Sequence, residues 1–303
     1  MSDAFWMGDS RIASHDPAGT SGRTGATAAR MVLGTALQRL RHGAGLTAGE
    51  ASQASGVPTD LITGMEQGKA EVRHWDVAGL YSAYGVRDLA ERTLLLGLAH
   101  RSNCPEWWHS YQDVIPGWFT HYVGLEQAAS LIRCYSAHEI PALLQTPGYA
   151  RAVLALRPDG GPEREIGRRA ELAMRRQHVL YGPAAARLWA VIDEAVLRRQ
   201  AGPPAVMREQ LRHLIFMCQR PNITIHVLSL SADAQPSVGL LAVLRLPDRE
   251  LPDIAYLEQL AGSRYYRSRG QVDYFRHVLN HLALRAESAG PPEGLLAQIL
   301  RDT

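Results

Sequence analysis

Four residues are the first candidates for general acid/base catalysis: Glu126, His138, Asp193 and Glu194. A proton transfer needs a carboxylate or imidazole beside the reacting group, and these are the candidates if the chain is catalytic. Nothing in the sequence supplies the rest of an active site. There is no Ser-His-Asp order, glycine-rich phosphate loop or metal-ligand spacing, so no metal and no cofactor is expected. His138-Glu139 and His226 stand isolated, as structural histidines do. Cys104, Cys134 and Cys218 are odd in number and widely spaced, which implies neither a disulfide framework nor a zinc knuckle.

A second set of residues suits binding. Trp107, Trp108, His109, Tyr111, Trp118, Phe119, His121 and Tyr122 fall within sixteen positions, with Glu126 just beyond. Aromatic walls carrying a few polar groups make small-molecule pockets, so Trp108, His109, Tyr111, Trp118, His121, Tyr122 and Glu126 are the candidate ligand residues. The same cluster could instead be an apolar hinge between two parts of the chain.

A third set carries recognition chemistry. Residues 45–69 have the grammar of a helix-turn-helix: Thr47 to cap a first helix, Gly56-Val57 for the tight turn, and Pro58 at the opening of a second helix. Ile62 and Met65 then face inward. Thr59, Asp60, Thr63 and Gly64 are left on the outer side, with Lys69 beyond Gly68, as the candidate DNA contacts. Their charge is wrong for a strong grip on phosphate. Residues 31–72 hold Arg39, Arg41 and Lys69 against Glu50, Asp60, Glu66 and Glu71, a net charge of −1. Phosphate neutralisation supplies most non-specific affinity, so one copy of this module binds DNA weakly at best, and a scaffold that no longer reads DNA is the alternative.

The elements that must position these groups follow from periodicity. Residues 1 to about 30 are rich in Gly, Ala, Ser, Thr and Asp without an apolar period, and read as a disordered leader. Short helices with glycine punctuation fill residues 31–99. Helical spacing also covers 125–135, 163–180 and 271–287, and Pro141, Gln145-Thr146 and Pro147 mark the start of another helix. The charged face of 163–180 reads as a solvated surface. Strand signals appear at 188–192, 223–228, 240–246 and more weakly at 254–257. Asp193 and Glu194 close the first of these where a helix begins. A helix dipole is sufficient cause for them, and a cationic or hydroxylated ligand is the other. The expected fold is mainly α: a five-helix front over 31–100, then a larger α+β domain over 101–303 with a small sheet.

The 303 residues carry a net charge of +2, with Lys69 the sole lysine, and are 46% hydrophobic and 20% charged, ordinary for a globular protein. No apolar run is long enough for a membrane span and no signal sequence is visible, so a cytoplasmic, membrane-free protein is expected.

The front module resembles the XRE (Cro/repressor-like) helix-turn-helix family. The resemblance rests on Leu33-Gly34, Leu37, Leu40, Arg41, Gly45-Leu46-Thr47, Glu50, Gly56-Val57, Ile62, Met65-Glu66, Gly68-Lys69 and Trp75-Asp-Val77. It implies a structural pair between Arg41 and Glu66. Ala48 stands where that family usually has glutamine. From about Trp107 onward the chain resembles a second family, DUF5753, through Leu125-Glu-Gln-Ala-Ala129, Ile140-Pro-Ala-Leu-Leu-Gln-Thr-Pro-Gly-Tyr-Ala150, Ile192-Asp-Glu-Ala-Val-Leu197 and Asn222-Ile-Thr-Ile-His-Val-Leu228. Together the resemblances imply a DNA-binding, antitoxin-like transcriptional regulator. Its partners would be double-stranded DNA and a small-molecule effector or small partner protein, and it would work as a homodimer. The alternative is a repurposed protein with a vestigial helix-turn-helix whose back domain binds or transforms a small molecule, as a biosynthetic enzyme would.

Overall fold

The computed structural model describes residues 25–157, 161–231, 239–247, 251–259, 262–287 and 290–303. Five helices form the front: α1 (Ala26–Gly43), α2 (Ala48–Ser55), α3 (Thr59–Glu66), α4 (His74–Ala83) and α5 (Leu89–Ser102). Their core is Leu33, Leu37, Ala51, Val57, Ile62, Met65, Val77 and Leu80, all nearly or wholly out of solvent. The turn between α2 and α3 is made by Gly56 at φ +74°, a conformation that costs glycine little. Thr47 caps α2 and exchanges hydrogen bonds with Glu50, closing a capping box. Arg41 forms a bidentate pair with Glu66, 2.6 and 2.8 Å, and also donates to the Leu46 carbonyl. The implied structural pair is present.

Most of the expected leader, residues 1–24, lies outside the described residues. Its last residues are helical instead, since α1 begins at Ala26. The stretch Ala-Thr-Ala-Ala is a good helix former, and its small side chains let α1 pack closely on α6 (Gly117–Ala128) and α5. A Cβ added at Gly124 would fall 2.0 Å from Oγ1 of Thr27, so this crossing requires glycine. As a result α1 serves two cores: Leu33 and Leu37 face the front, while Ala28 and Met31 join the back.

The back is built around β1 (Leu131–Ser136), β2 (Arg187–Asp193), β3 (Ile223–Leu228), β4 (Leu240–Arg245), β5 (Ile254–Gln259) and β6 (Gly262–Tyr266). They form one sheet in the order β3-β2-β1-β4-β5-β6. The first three strands run parallel and the others pair antiparallel. Between them lie α7 (Pro147–Leu156), α8 (Glu163–Arg176), α9 (Glu194–Arg198) and α10 (Pro204–Cys218), and the chain finishes with α11 (Arg269–Glu287) and α12 (Pro292–Asp302). One face of the sheet packs Ile132, Leu188, Ile192, Ile225 and Tyr256 against residues of α6, α7, α10 and α12. The other packs Tyr135, Val191, Leu228 and Val243 against Leu279, Leu282 and Ala283 of α11.

The fold class is as read from the sequence, with two corrections. The sheet has six strands where four were read. The helix expected over 125–135 breaks after Ala128, and Leu131–Ser136 is the central strand β1. A strand covered on both faces shows no period of two, so its apolar run reads equally well as helix. Two residues of extended chain, 129 and 130, separate the elements.

Candidate nucleic-acid interface and ligand sites

On α3, Ile62 and Met65 are buried while Thr59, Asp60 and Thr63 lie in solvent, as does Lys69 after the helix. Gly64 does not join them. It is half-buried under the returning chain: its carbonyl accepts from the N–H groups of Lys69 and Ala70, and a Cβ there would meet the Ala70 methyl at 3.0 Å. The Thr63 hydroxyl donates back to the Thr59 carbonyl, 2.9 Å. Asp60 occupies the first turn, where the helix dipole favours a carboxylate.

The C-terminal end of α3 touches the back domain. Arg267, just past β6, donates to the Gln67 carbonyl and through its other Nη to Nε2 of His121, 3.2 Å. Burial, reinforced by the nearby charges of Arg267, Arg30 and Lys69, pushes the His121 imidazole down to about 4. His121 is therefore neutral at pH 7, and its Nε2 accepts a hydrogen bond from the guanidinium. Two further links tie α1 to the end of α5 and the segment after it: Arg30 donates to the Ser102 carbonyl, 2.7 Å, and Thr27 to Glu106, 2.9 Å.

Of the aromatic candidates, His121 and Tyr122 on α6 lie at this joint, Tyr122 in one core with Ala28 and Met31 of α1. Trp108 and Tyr111 are buried with Val114, Ile115, Val123 and Leu172 in a small core of their own, and the Tyr111 hydroxyl donates to Glu171. Tyr122 lies against Tyr256, with ring centres 4.2 Å apart. Nδ1 of His109 accepts the Glu106 N–H, and the partly exposed Trp118 offers its carbonyl to the Tyr265 hydroxyl. Glu126, 1% exposed, holds Arg176 by two hydrogen bonds of 2.8 Å. These residues are brought together, but by packing on one another and on the protein.

Of the acid/base candidates, His138, Asp193 and Glu194 come to one end of the sheet, at the C-terminal ends of the adjacent parallel strands β1 and β2. Glu126 lies before β1 and is not among them. Asp193 caps α9 by accepting from the Ala195 N–H. Glu194 accepts from Arg198 and the Leu230 N–H. Burial alone would raise this carboxyl, but those hydrogen bonds bring it below its usual range. Each carboxylate thus has a structural employment.

A family model described as a domain of unknown function (DUF5753) matches residues 119–296, more than half of the chain. The chain belongs to the DUF5753 family. A helix-turn-helix domain model matches residues 32–95, which spans α1 to α5. No curated protein and no solved structure matches the chain. Among the described residues no helix is long and apolar enough to cross a membrane.

Two cavities in the DUF5753 domain are lined by none of the aromatic candidates. One, of about 240 Å³, is bordered by His138, Tyr149, Arg157 and Arg199. The other, of about 520 Å³, follows β3, the last strand of the sheet among the described residues, beside Cys218, His226, Glu287 and Glu293. Sequence reasoning missed the second. Glu287 and Glu293 flank a break between two helices, and nothing in their spacing relates them to a strand sixty residues earlier.

Proposed function

We propose that this DUF5753 protein is a DNA-binding transcriptional regulator that presents α3 to the major groove from a homodimer, with the back domain receiving a small-molecule effector or small partner protein. One observation carries the reading: the α2–α3 unit is well formed, with a polar outer side of Thr59, Asp60 and Thr63 free in solvent and Lys69 beyond it. The division follows the front module to about residue 100 and the back domain from 101. The link from Arg267 to the end of α3 supports a route by which a change in the back domain reaches the recognition helix. Dimerisation is required because one acidic module neutralises too few phosphates for specific affinity, and a two-fold protein matches a two-fold operator.

The vestigial alternative is favoured by one observation, the exposed Asp60 on a helix with no arginine. A selection of random duplexes on the full-length protein, followed by anisotropy titrations at low and moderate salt, separates the two. The regulator reading expects an enriched two-fold sequence, a shallow salt dependence and a dimer by light scattering on that duplex. Recovery of no sequence, with no retardation at low salt, supports the vestigial reading and removes Thr59, Asp60, Thr63 and Lys69 from the site.

A further inference from the structure

The cavity of about 240 Å³ lies at the C-terminal ends of the parallel strands β1 and β2, where His138 follows one and α9 the other. Strand order reverses at β1, with β2 and β3 added on one side and β4 to β6 on the other. In open sheets ligands gather outside the carboxyl ends of parallel strands near such a reversal. One wall comes from α7, with Tyr149, Val153 and Leu156, and the other from Val196 of α9 and Ala201 beyond it. Val153 and Ala201 are only half-buried against the core, and Leu156 carries the apolar wall outward at 68% exposed. Apolar surface therefore faces the space and is left uncovered at its mouth. The volume equals that of about eight liquid waters, room for a molecule of about eight non-hydrogen atoms. A nucleotide is too large.

Two donors at this cavity are unspent. Arg199, just past α9, is exposed and makes no ion pair or side-chain hydrogen bond among the described residues. Tyr149 is 2% exposed, and its hydroxyl accepts the Ile140 N–H, 3.2 Å. The hydroxyl's own proton has no acceptor among the described residues, whereas a hydroxyl buried so deeply ordinarily gives its proton to one. Burial pushes Tyr149 up to about 12, with the Ile140 hydrogen bond and the charge of nearby Arg199 acting the other way, so at pH 7 it is a neutral donor within reach of that charge. Arg157 also lines the space, but Glu139 holds it through hydrogen bonds of 2.9 and 3.1 Å. No carboxylate is among the described residues that border the cavity. A protonated amine would meet Arg199 as a like charge, and an uncharged ligand would leave that charge unmatched. A flat partner surface would cover Leu156 and leave the space beneath it empty.

We infer that this cavity binds a small carboxylate on a compact aliphatic body. The carboxylate lies between the Arg199 guanidinium, whose parallel N–H groups match its two oxygens, and the Tyr149 hydroxyl. The body covers Val153, Leu156 and Ala201. This deepens the effector half of the proposed function. Its test is made without DNA, so a protein that reads no operator still answers it.

Three probes of one shape make the test: 4-methylpentanoate, 4-methylpentanamide and 4-methylpentylamine, titrated calorimetrically into the full-length protein. The carboxylate should bind at least about tenfold more tightly than the amide and the amine, which is about 1.4 kcal/mol. Arg199→Gln alters an exposed side chain, so it should melt as the wild type does while losing about tenfold in 4-methylpentanoate affinity. Arg187→Gln removes an equally exposed charge at the opposite end of β2 and should bind the carboxylate as the wild type does. The His138 ring resonances should shift with 4-methylpentanoate in the wild type. The inference is overturned if 4-methylpentanoate shows no binding up to about 10 mM, binds no better than the amide, or binds Arg199→Gln as tightly as it binds the wild type.

Discussion

Replacing Glu126 by glutamine decides whether this residue holds the fold or serves a ligand. The carboxylate is 1% exposed and Arg176 is 6% exposed, and the two share two hydrogen bonds of 2.8 Å. The guanidinium also lies over the rings of Phe119, 4.9 Å, and Tyr122, 5.7 Å. Removing the negative charge strands a cation in that apolar setting. Breaking one partner of a buried pair costs about 3–5 kcal/mol. Glutamine keeps one acceptor oxygen, so the lower end applies. For a domain of this size about 3 kcal/mol lowers Tm by roughly 10 °C. Tryptophan fluorescence in a urea titration and a thermal melt both read it, since Trp118 packs on Phe119, over which the Arg176 guanidinium lies. The double change Glu126→Leu/Arg176→Met removes both charges and should return most of the loss, to within about 1–2 kcal/mol of the wild type. A Glu126→Gln protein within about 0.5 kcal/mol of wild type would refute the reasoning, and loss of ligand binding in that variant would restore Glu126 to the site.

Three other outcomes are expected. Gly124→Ala drives a methyl into Thr27 at the crossing of α1 and α6 and should cost about 1–3 kcal/mol by chemical denaturation, with Thr27→Ala partly restoring it. His121 has a folded value of about 4 against its ordinary 6.5, so the unfolded chain takes up a proton first as pH falls. Stability should decline from about pH 6.5 to 4, by at most about 3 kcal/mol, and a His121→Asn variant should show a flatter curve of Tm against pH. If α3 reads DNA, Asp60→Asn should strengthen non-specific binding about two- to fivefold in low-salt gel shifts by removing repulsion from phosphate, whereas Thr63→Ala should weaken only the specific complex.

Much of this protein can be read without coordinates because local chemistry decides it. Thr47 with Glu50, the left-handed Gly56 and the inward Ile62 and Met65 identify the helix-turn-helix, since capping, turn geometry and helical period act within a few residues. Thr146 accepting from the Tyr149 N–H, and Asp193 capping α9, follow from the same kind of local rule. Strands β2 to β5 carry β-branched and aliphatic runs bounded by turn residues, which is also local. What tertiary structure alone decided involves residues far apart in the chain. It turned Leu131–Ser136 into the central strand, because only neighbours on both sides and both faces distinguish a buried strand from a buried helix. It sent Gly64 under Ala70, committed Glu126 to Arg176 fifty residues away, and closed Trp108 and Tyr111 into a small core with Leu172 of α8. It also brought Glu287, Glu293 and His226 around one cavity. The type of a side chain states what chemistry it can perform. Whether that capacity is free depends on which distant partner has satisfied its charge or hydrogen bonds, and periodicity holds no record of that.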